Sequence, residues 1–357
     1  MAATGTGERI AGQRILVIGP AWVGDMILAQ SLFKALKRRD PRAFLAVAAP
    51  DFTRPLLDLM PEVDEALALP FEHGQTRLVA RWRYGRQLRR RGFDRGIVLP
   101  GSFKAALPLR AAGIRQRSGY RGEGRSALLT DARLNDKRAQ RTVDRFVALA
   151  VPPGEPPPPV EPPHLRLPPG ASDAAREALG LPPSGRPLLA LCPGAEYGPA
   201  KRWPARHFAL VARHWIAVGG QVQLFGGPGD RPAADALVAA LSEGVAVERV
   251  QNLVGRTTLT QAAALLAAAK AVVANDSGLM HLAAALGRPL VALFGPSDPA
   301  LTPPLAADAT VLALDLDCRP CHARRCPLVH HKCLEELSPR VVSERLAPIL
   351  DQAAHHP

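Results

Sequence analysis

The sequence has no run of about 18 uninterrupted apolar residues, the length a helix needs to cross a bilayer. Its most apolar stretch, 262–274, is broken by Lys270 and reads as a helix followed by a strand. A membrane-spanning protein is therefore excluded from the expectation. Residues 1–13 are small and polar and carry no apolar core ahead of a cleavage site, so no secretory signal is read there and a cytoplasmic location is expected. Aromatic residues make up only 5% of the chain, and no helix-turn-helix, RRM or zinc-finger pattern accompanies the basic residues, which argues against a nucleic-acid partner. Acidic residues are the scarcer charge, with 32 Asp and Glu against 45 Lys and Arg, a surplus that draws the molecule toward anionic partners. Cysteine is sparse as well. Of five, four fall in one short segment as Cys318, Cys321, Cys326 and Cys333, a C-x2-C-x4-C-x6-C spacing near His322, His330 and His331. In a reducing compartment that clustering suggests a structural metal such as zinc, or a packed thiol-containing loop, more than disulfides.

What is present is alternation. A 357-residue chain that is 47% hydrophobic can bury two cores. The β-branched run RILVIG at 14–19 reads as a buried parallel strand, and 25–39 as the helix that follows. Strands are expected again at 43–49, 65–69 and 95–100, with an arginine-rich helix over 76–91. Between 151 and 187 the composition turns to VPPGEPPPPVEPPHLRLPP and LPPSGRP, too proline-rich for regular structure and suited to an extended connector. The rhythm then resumes with strands at 188–192, 221–226, 271–275 and 290–295 and helices at 205–218, 231–241 and from 258 and 277. The expected class is α/β, with two Rossmann-like domains facing across a cleft. The divisions are 1–165 for the first domain, 151–187 for the connector region, 186–345 for the second domain and 346–357 for a tail. Ligands in such sheets sit where strand C-termini meet helix N-termini.

Three segments in those positions carry chemistry. In GPAWVGDMILAQSL (19–32), Asp25 falls at the start of a helix. A carboxylate there either caps the helix or serves as a general base toward an attacking hydroxyl. In CPGAEYGPAKRWP (192–204), glycines including Gly194 permit close backbone approach to a phosphate, and Lys201 supplies a cation that would offset charge on a leaving diphosphate. The bland alternative leaves Lys201 and Arg202 solvated, with Trp203 and Pro204 opening a helix. In NDSGLMHLAAALGRPLVALFGPSDP (275–299), a buried strand delivers Asp276 to a helix mouth where Ser277, Gly278 and His281 converge, an arrangement suited to an anion.

These segments, with NLVGRTTL and CRPCHARRCPLVHHKC, resemble the ADP-heptose:lipopolysaccharide heptosyltransferases of glycosyltransferase family nine over nearly the whole chain and in family order. The resemblance implies a GT-B fold and an inverting transfer of heptose from ADP-heptose to the first core heptose of an anionic Kdo-lipid A acceptor. By motif position it makes Asp25 and Lys201 catalytic and puts Gly194, Glu196, Tyr197, Lys201, Asp276, Ser277, Gly278 and His281 at the donor. Glu196 and Tyr197 stand where some relatives have hydroxyl residues. No acceptor-binding residue is assigned, no metal is expected in the chemistry, and no cofactor is required. Heptosyltransferase I or another core-sugar transferase would share these donor motifs; a nucleotide-sugar epimerase would share the fold, and a third alternative is a non-catalytic protein that binds nucleotides or nucleic acid. Eight arginines lie between Arg77 and Arg95, followed by Arg110, Arg115, Arg117, Arg121 and Arg125. They read either as a solvated basic face or as guanidiniums that bind acceptor phosphates and hold the enzyme at the cytoplasmic face of the inner membrane.

Overall fold

A computed structural model describes residues 12–354 apart from 72–73, 137–139, 184 and 242–246. The chain divides into two compact units. One holds residues up to 21 with Ala29–Lys137 and Val143–Glu161; the other holds Trp22–Leu28, Arg138–Thr142 and the chain from Pro162 onward.

Six strands form the first sheet: β1 (Arg14–Ile18), β2 (Phe44–Ala49), β3 (Glu65–Ala68), β4 (Arg95–Val98), β5 (Gln116–Tyr120) and β6 (Asp131–Arg133). Their order is β3-β2-β1-β4-β5-β6 and every pairing is parallel. The second sheet repeats the plan with β7 (Leu188–Cys192), β8 (Gln221–Leu224), β9 (Val250–Asn252), β10 (Ala271–Asn275), β11 (Leu290–Phe294) and β12 (Ala309–Ala313), ordered β12-β11-β10-β7-β8-β9 and again all parallel. Central strands are buried from end to end, as β7, β10 and β11 show, because helices cover both faces of a parallel sheet. In each sheet the chain reverses its direction of travel beside its first strand, between β1 and β4 and between β7 and β10. At such a switch point the connections leave to opposite sides and open a crevice at the strand C-termini.

The strands missing from the periodicity are β5, β6, β9 and β12. β6 and β12 are only half-buried edge strands and QRSGY is too polar to stand out, so the alternation that marks a strand is diluted there. The proline-rich region contains one helix, Ala171–Ala178, where the expectation was of no regular structure. Its sequence, ASDAAREA, has no proline and is alanine-rich, so local propensity prevails inside an otherwise extended segment. The arginine-rich helix is shorter than expected, Leu78–Leu88, continued by a 3-10 turn at Arg89–Arg91. Helix Pro339–Ala354 runs well into the segment expected to be a tail.

The arginine-rich helix packs tightly on helix Phe103–Ala111. A Cβ on Gly85 would lie 2.4 Å from the Pro108 carbonyl oxygen and 2.7 Å from the Ala111 methyl. Gly85→Ala therefore gains helix propensity yet loses net stability, by about 1–3 kcal/mol, because backbone must move to admit the methyl. Urea denaturation of the two proteins checks this sign.

Candidate functional site

The site grows from the end of β10. Asn275, fully buried, accepts a hydrogen bond from the Trp203 amide on its Oδ1 (3.1 Å) and donates through Nδ2 to the Pro193 carbonyl (2.8 Å). One amide side chain thus fixes both ends of the loop that carries Lys201 to the strand that carries Asp276. Trp203 reinforces the arrangement from the core: it is 2% exposed, stacks edge-on against Phe208 at 4.9 Å, and donates its indole N–H to the Leu337 carbonyl (3.0 Å). Neither Lys201 nor its neighbours behave as loose solvated charges. The Lys201 ammonium pairs with Asp276 Oδ2, which also accepts a hydrogen bond from the Ser297 hydroxyl. Both ions are largely removed from water, the Asp276 side chain being 6% exposed and that of Lys201 16%. Burying charge is costly unless it is paired and hydrogen-bonded, as it is here.

Beside this pair begins helix Gly278–Ala285. Its N-cap residue Ser277 makes no side-chain capping bond. The contrast is helix Leu259–Ala267, whose first turn is closed by Thr258 and Gln261 in a reciprocal capping box. An N-terminus without a side-chain cap keeps first-turn amides for an anion. His281 lies one turn in and is buried; burial pulls its imidazole down to about 4, with Asp276 opposing and Lys201 adding to the effect. It is therefore a neutral ring at pH 7, able to exchange hydrogen bonds with a ligand without adding charge.

Asp25 stands in the first turn of helix Val23–Arg39, half-buried and with a polar or electrostatic partner. Residues Trp22–Leu28 belong to the same compact unit as Lys201, Asp276 and His281. The approach is close: a Cβ on Gly24 would lie 2.7 Å from His281 Cδ2, and one on Gly278 would lie 2.8 Å from Val23 Cβ and 3.4 Å from the Gly24 nitrogen. Two glycines let one helix start against another, so Asp25 follows directly on a residue that touches His281.

The family model described as Glycosyltransferase family 9 (heptosyltransferase) matches residues 81–332. The chain belongs to glycosyltransferase family 9. This glycosyltransferase is 47% identical over 347 residues to lipopolysaccharide heptosyltransferase 2 of Salmonella typhimurium strain LT2, covering 95% of this chain and 99% of that one. It is 45% identical over 346 residues to lipopolysaccharide heptosyltransferase 2 of Escherichia coli K12, with 95% and 99% covered. The solved structure of E. coli ADP-heptose LPS heptosyltransferase II superposes with a TM-score of 0.85 at 44% identity, over 96% of this chain and all of that one. The α/β, GT-B class of fold is thereby shown.

Within the family motif, the remaining residues divide. Gly194 is enclosed: a Cβ there would fall 2.0 Å from Asp230 Cγ, so its missing side chain makes room for a carboxylate of the protein, which also accepts from the Gly227 amide at 3.0 Å. Glu196 and Tyr197 are exposed. The Tyr197 ring lies 5.0 Å from both the Lys201 ammonium and the Arg324 guanidinium, and its hydroxyl donates to the His322 carbonyl at 2.8 Å. Sequence reasoning missed Ser297 and Asp230. Ser297 could have been found from GPSDP at the end of β11, the strand next to β10; Asp230 carried no signal.

The cysteine segment braces this site from behind. Ala200 donates its amide to the Arg324 carbonyl (3.1 Å), His322 donates to the Pro296 carbonyl (2.9 Å), and Arg319 donates to the Gly295 (2.5 Å) and Ser297 (3.1 Å) carbonyls. Cys318, Cys321, Cys326 and Cys333 line one cavity of about 20 Å³ with His330 and His331. Burial pushes the Cys333 thiol up, and the other three thiols add to the shift. Among the described residues, no three His, Cys, Asp or Glu side chains are placed to hold a metal ion.

The neutral state of His281 has a thermodynamic consequence. Unfolded, the ring titrates near 6.5; folded, near 4. Between those values the unfolded state binds the extra proton, so the contribution is whole above 6.5 and is lost as pH falls toward 4. About 2 kcal/mol of stability should disappear by pH 5 on this account. Denaturation midpoints measured from about pH 7 to 5 should fall less steeply for His281→Gln than for the parent.

Proposed function

We propose that this glycosyltransferase moves L-glycero-D-manno-heptose from ADP-heptose to the first heptose of the lipopolysaccharide inner core, with inversion, in the manner of a heptosyltransferase II. The acceptor hydroxyl oxygen attacks the anomeric carbon and its proton passes to Asp25. The bond from that carbon to the diphosphate breaks on the opposite face, and ADP departs with the electron pair. A single displacement needs one base and one stabilised leaving group. Lys201 and the amides at the start of helix Gly278–Ala285 supply the positive field, so no divalent metal or cofactor takes part. Asp276 holds Lys201 until the diphosphate arrives and then turns to donor hydroxyls, with Ser277, Gly278 and His281 along the diphosphate and Glu196 and Tyr197 at the donor's outer side. The single observation that carries this reading is the seating of the Val23–Gly24–Asp25 turn on the His281 helix, beside the Lys201–Asp276 pair.

A lipid-linked acceptor requires the enzyme to work at a membrane. No helix among the described residues is long and apolar enough to cross one. We place the protein in the cytoplasm, peripherally on the inner face of the inner membrane, with nucleic acid excluded as a partner. Elemental analysis of the purified chain tests whether the segment with Cys318, Cys321, Cys326 and Cys333 holds a structural zinc.

The test is transfer itself. With EDTA present and acceptors bearing zero, one or two heptoses, ADP release and product mass should appear only with the one-heptose acceptor, and the new linkage should be α if the donor is the β anomer. Transfer to the heptose-free acceptor would instead favour heptosyltransferase I. Asp25→Ala should keep ADP-sugar affinity while kcat falls by about 10²–10⁴-fold; unchanged turnover would leave Asp25 a helix cap. Lys201→Ala should weaken donor binding and lower kcat/KM by about 10²–10³-fold, since its charge acts before and during departure of ADP; equal kinetics in the two proteins would remove it from the mechanism.

A further inference from the structure

The arginines of the first unit separate into two groups. Arg81, Arg95, Arg117 and Arg125 turn inward onto backbone carbonyls, and Arg91 pairs with Glu65. Arg125 is fully buried, donating through Nε to the Tyr120 carbonyl at 2.7 Å, and burial pulls its guanidinium down to about 10. These are neither a solvated face nor phosphate ligands; they fasten loops, helix ends and strand ends of the unit to one another. Arg77, Arg83, Arg86, Arg89 and Arg90 are different: all are exposed, and none has a carboxylate partner among the described residues.

Those free guanidiniums share one surface with an apolar patch. On helix Leu78–Leu88, positions 78, 79, 82, 83 and 86 fall on the outward side, while Arg81, Gly85 and Leu88 face inward. Leu78 is 43% exposed, Val79 66% and Trp82 42%, adjoining one another at the helix start. Arg83 and Arg86 follow, and the 3-10 turn adds Arg89 and Arg90. No Asp or Glu occurs from residue 74 to 93, nor in helix Phe103–Ala111 packed beneath, whose own charges are Lys104 and Arg110. A surface that leaves tryptophan and branched aliphatics in water beside unneutralised arginines lacks its complement.

We propose that the outer face of helix Leu78–Leu88 docks on an anionic lipid bilayer, with Leu78, Val79 and Trp82 entering the headgroup boundary and Arg83, Arg86, Arg89 and Arg90 meeting lipid phosphates. The chemistry matches: an amphipathic helix lying in the interface buries its apolar side chains while guanidiniums pair with the anionic surface. A phosphate-only ligand would leave Leu78, Val79 and Trp82 unexplained, and so would a nucleic-acid duplex. The proposal rests on the reading that the acceptor is lipid-linked, and it assigns the membrane contact to a surface distinct from Lys201, Asp276 and Asp25.

The experiment is co-sedimentation of the full chain with vesicles of phosphatidylcholine alone or enriched in phosphatidylglycerol, together with tryptophan emission. The chain should pellet with the anionic vesicles only, less at high salt, with a blue shift that Trp82→Phe removes. Trp82→Gln with Val79→Gln, and separately Arg83→Glu with Arg86→Glu, should each cut partitioning by about tenfold or more. Circular dichroism and thermal midpoints confirm that each variant folds. Equal partitioning of either variant and the parent would overturn the assignment. So would a duplex oligonucleotide that binds the parent and the Trp82→Gln chain alike and displaces both from the vesicles. Transfer to a deacylated, water-soluble one-heptose acceptor, measured on the parent and the Trp82→Gln chain, separates the two readings. Transfer without vesicle binding removes the docking surface alone, whereas vesicle binding without transfer removes the proposed reaction alone.

Discussion

The Asp276 carboxylate at the tip of β10 is the constraint on which the rest of the site depends. Burying it would be prohibitive were it not held by the Lys201 ammonium and the Ser297 hydroxyl, so three chain segments separated widely in sequence must converge on one oxygen. That requirement explains the surroundings. Asn275 pins the lysine loop at the Trp203 amide and the Pro193 carbonyl, Trp203 anchors it in the core, and the cysteine segment supports it through Arg324 and His322. A buried ion pair is a weak source of stability compared with apolar packing of the same volume. Its retention at a strand end, beside a helix N-terminus, fits a cation kept in readiness for a diphosphate.

The sheet topology supplies that position cheaply. Both sheets reverse order at their first strand, which places the loop after β1 and the loops after β7 and β10 at crevices formed by connections leaving in opposite directions. Asp25 is carried by the first of these, Lys201 and Asp276 by the other two. Within the unit that holds Trp22–Leu28 and the chain from Pro162, the glycines at 24 and 278 leave room for close packing, and His281 lies against Gly24 as a neutral ring.

Much of this was legible in the sequence. Continuous apolar runs such as LLALC, AVVAN and LVALF mark strands buried on both faces, and the polar residues that end them mark the site; Asp276, Ser277 and His281 follow from that pattern. Of the four edge strands only β3 was legible; β6, β9 and β12 are short or half-exposed and their alternation is weak. Nor could sequence tell inward from outward arginines. Arg81 and Arg83 are two residues apart in the same basic run, yet one is sealed over Phe71 with carbonyl partners and the other is in water. The difference comes from helix phase against Phe103–Ala111, a tertiary fact. Asp230 was hidden for a related reason: the fold, and not the chain order, brings it against Gly194.

The central claim is that the Lys201–Asp276 pair is the resting form of a diphosphate cradle. A crystal structure of the protein with ADP tests it most directly. The Lys201 ammonium should leave Asp276 for a phosphate oxygen, and the diphosphate should lie against the amides opening helix Gly278–Ala285. A diphosphate bound elsewhere, with Lys201 still on Asp276, would contradict it.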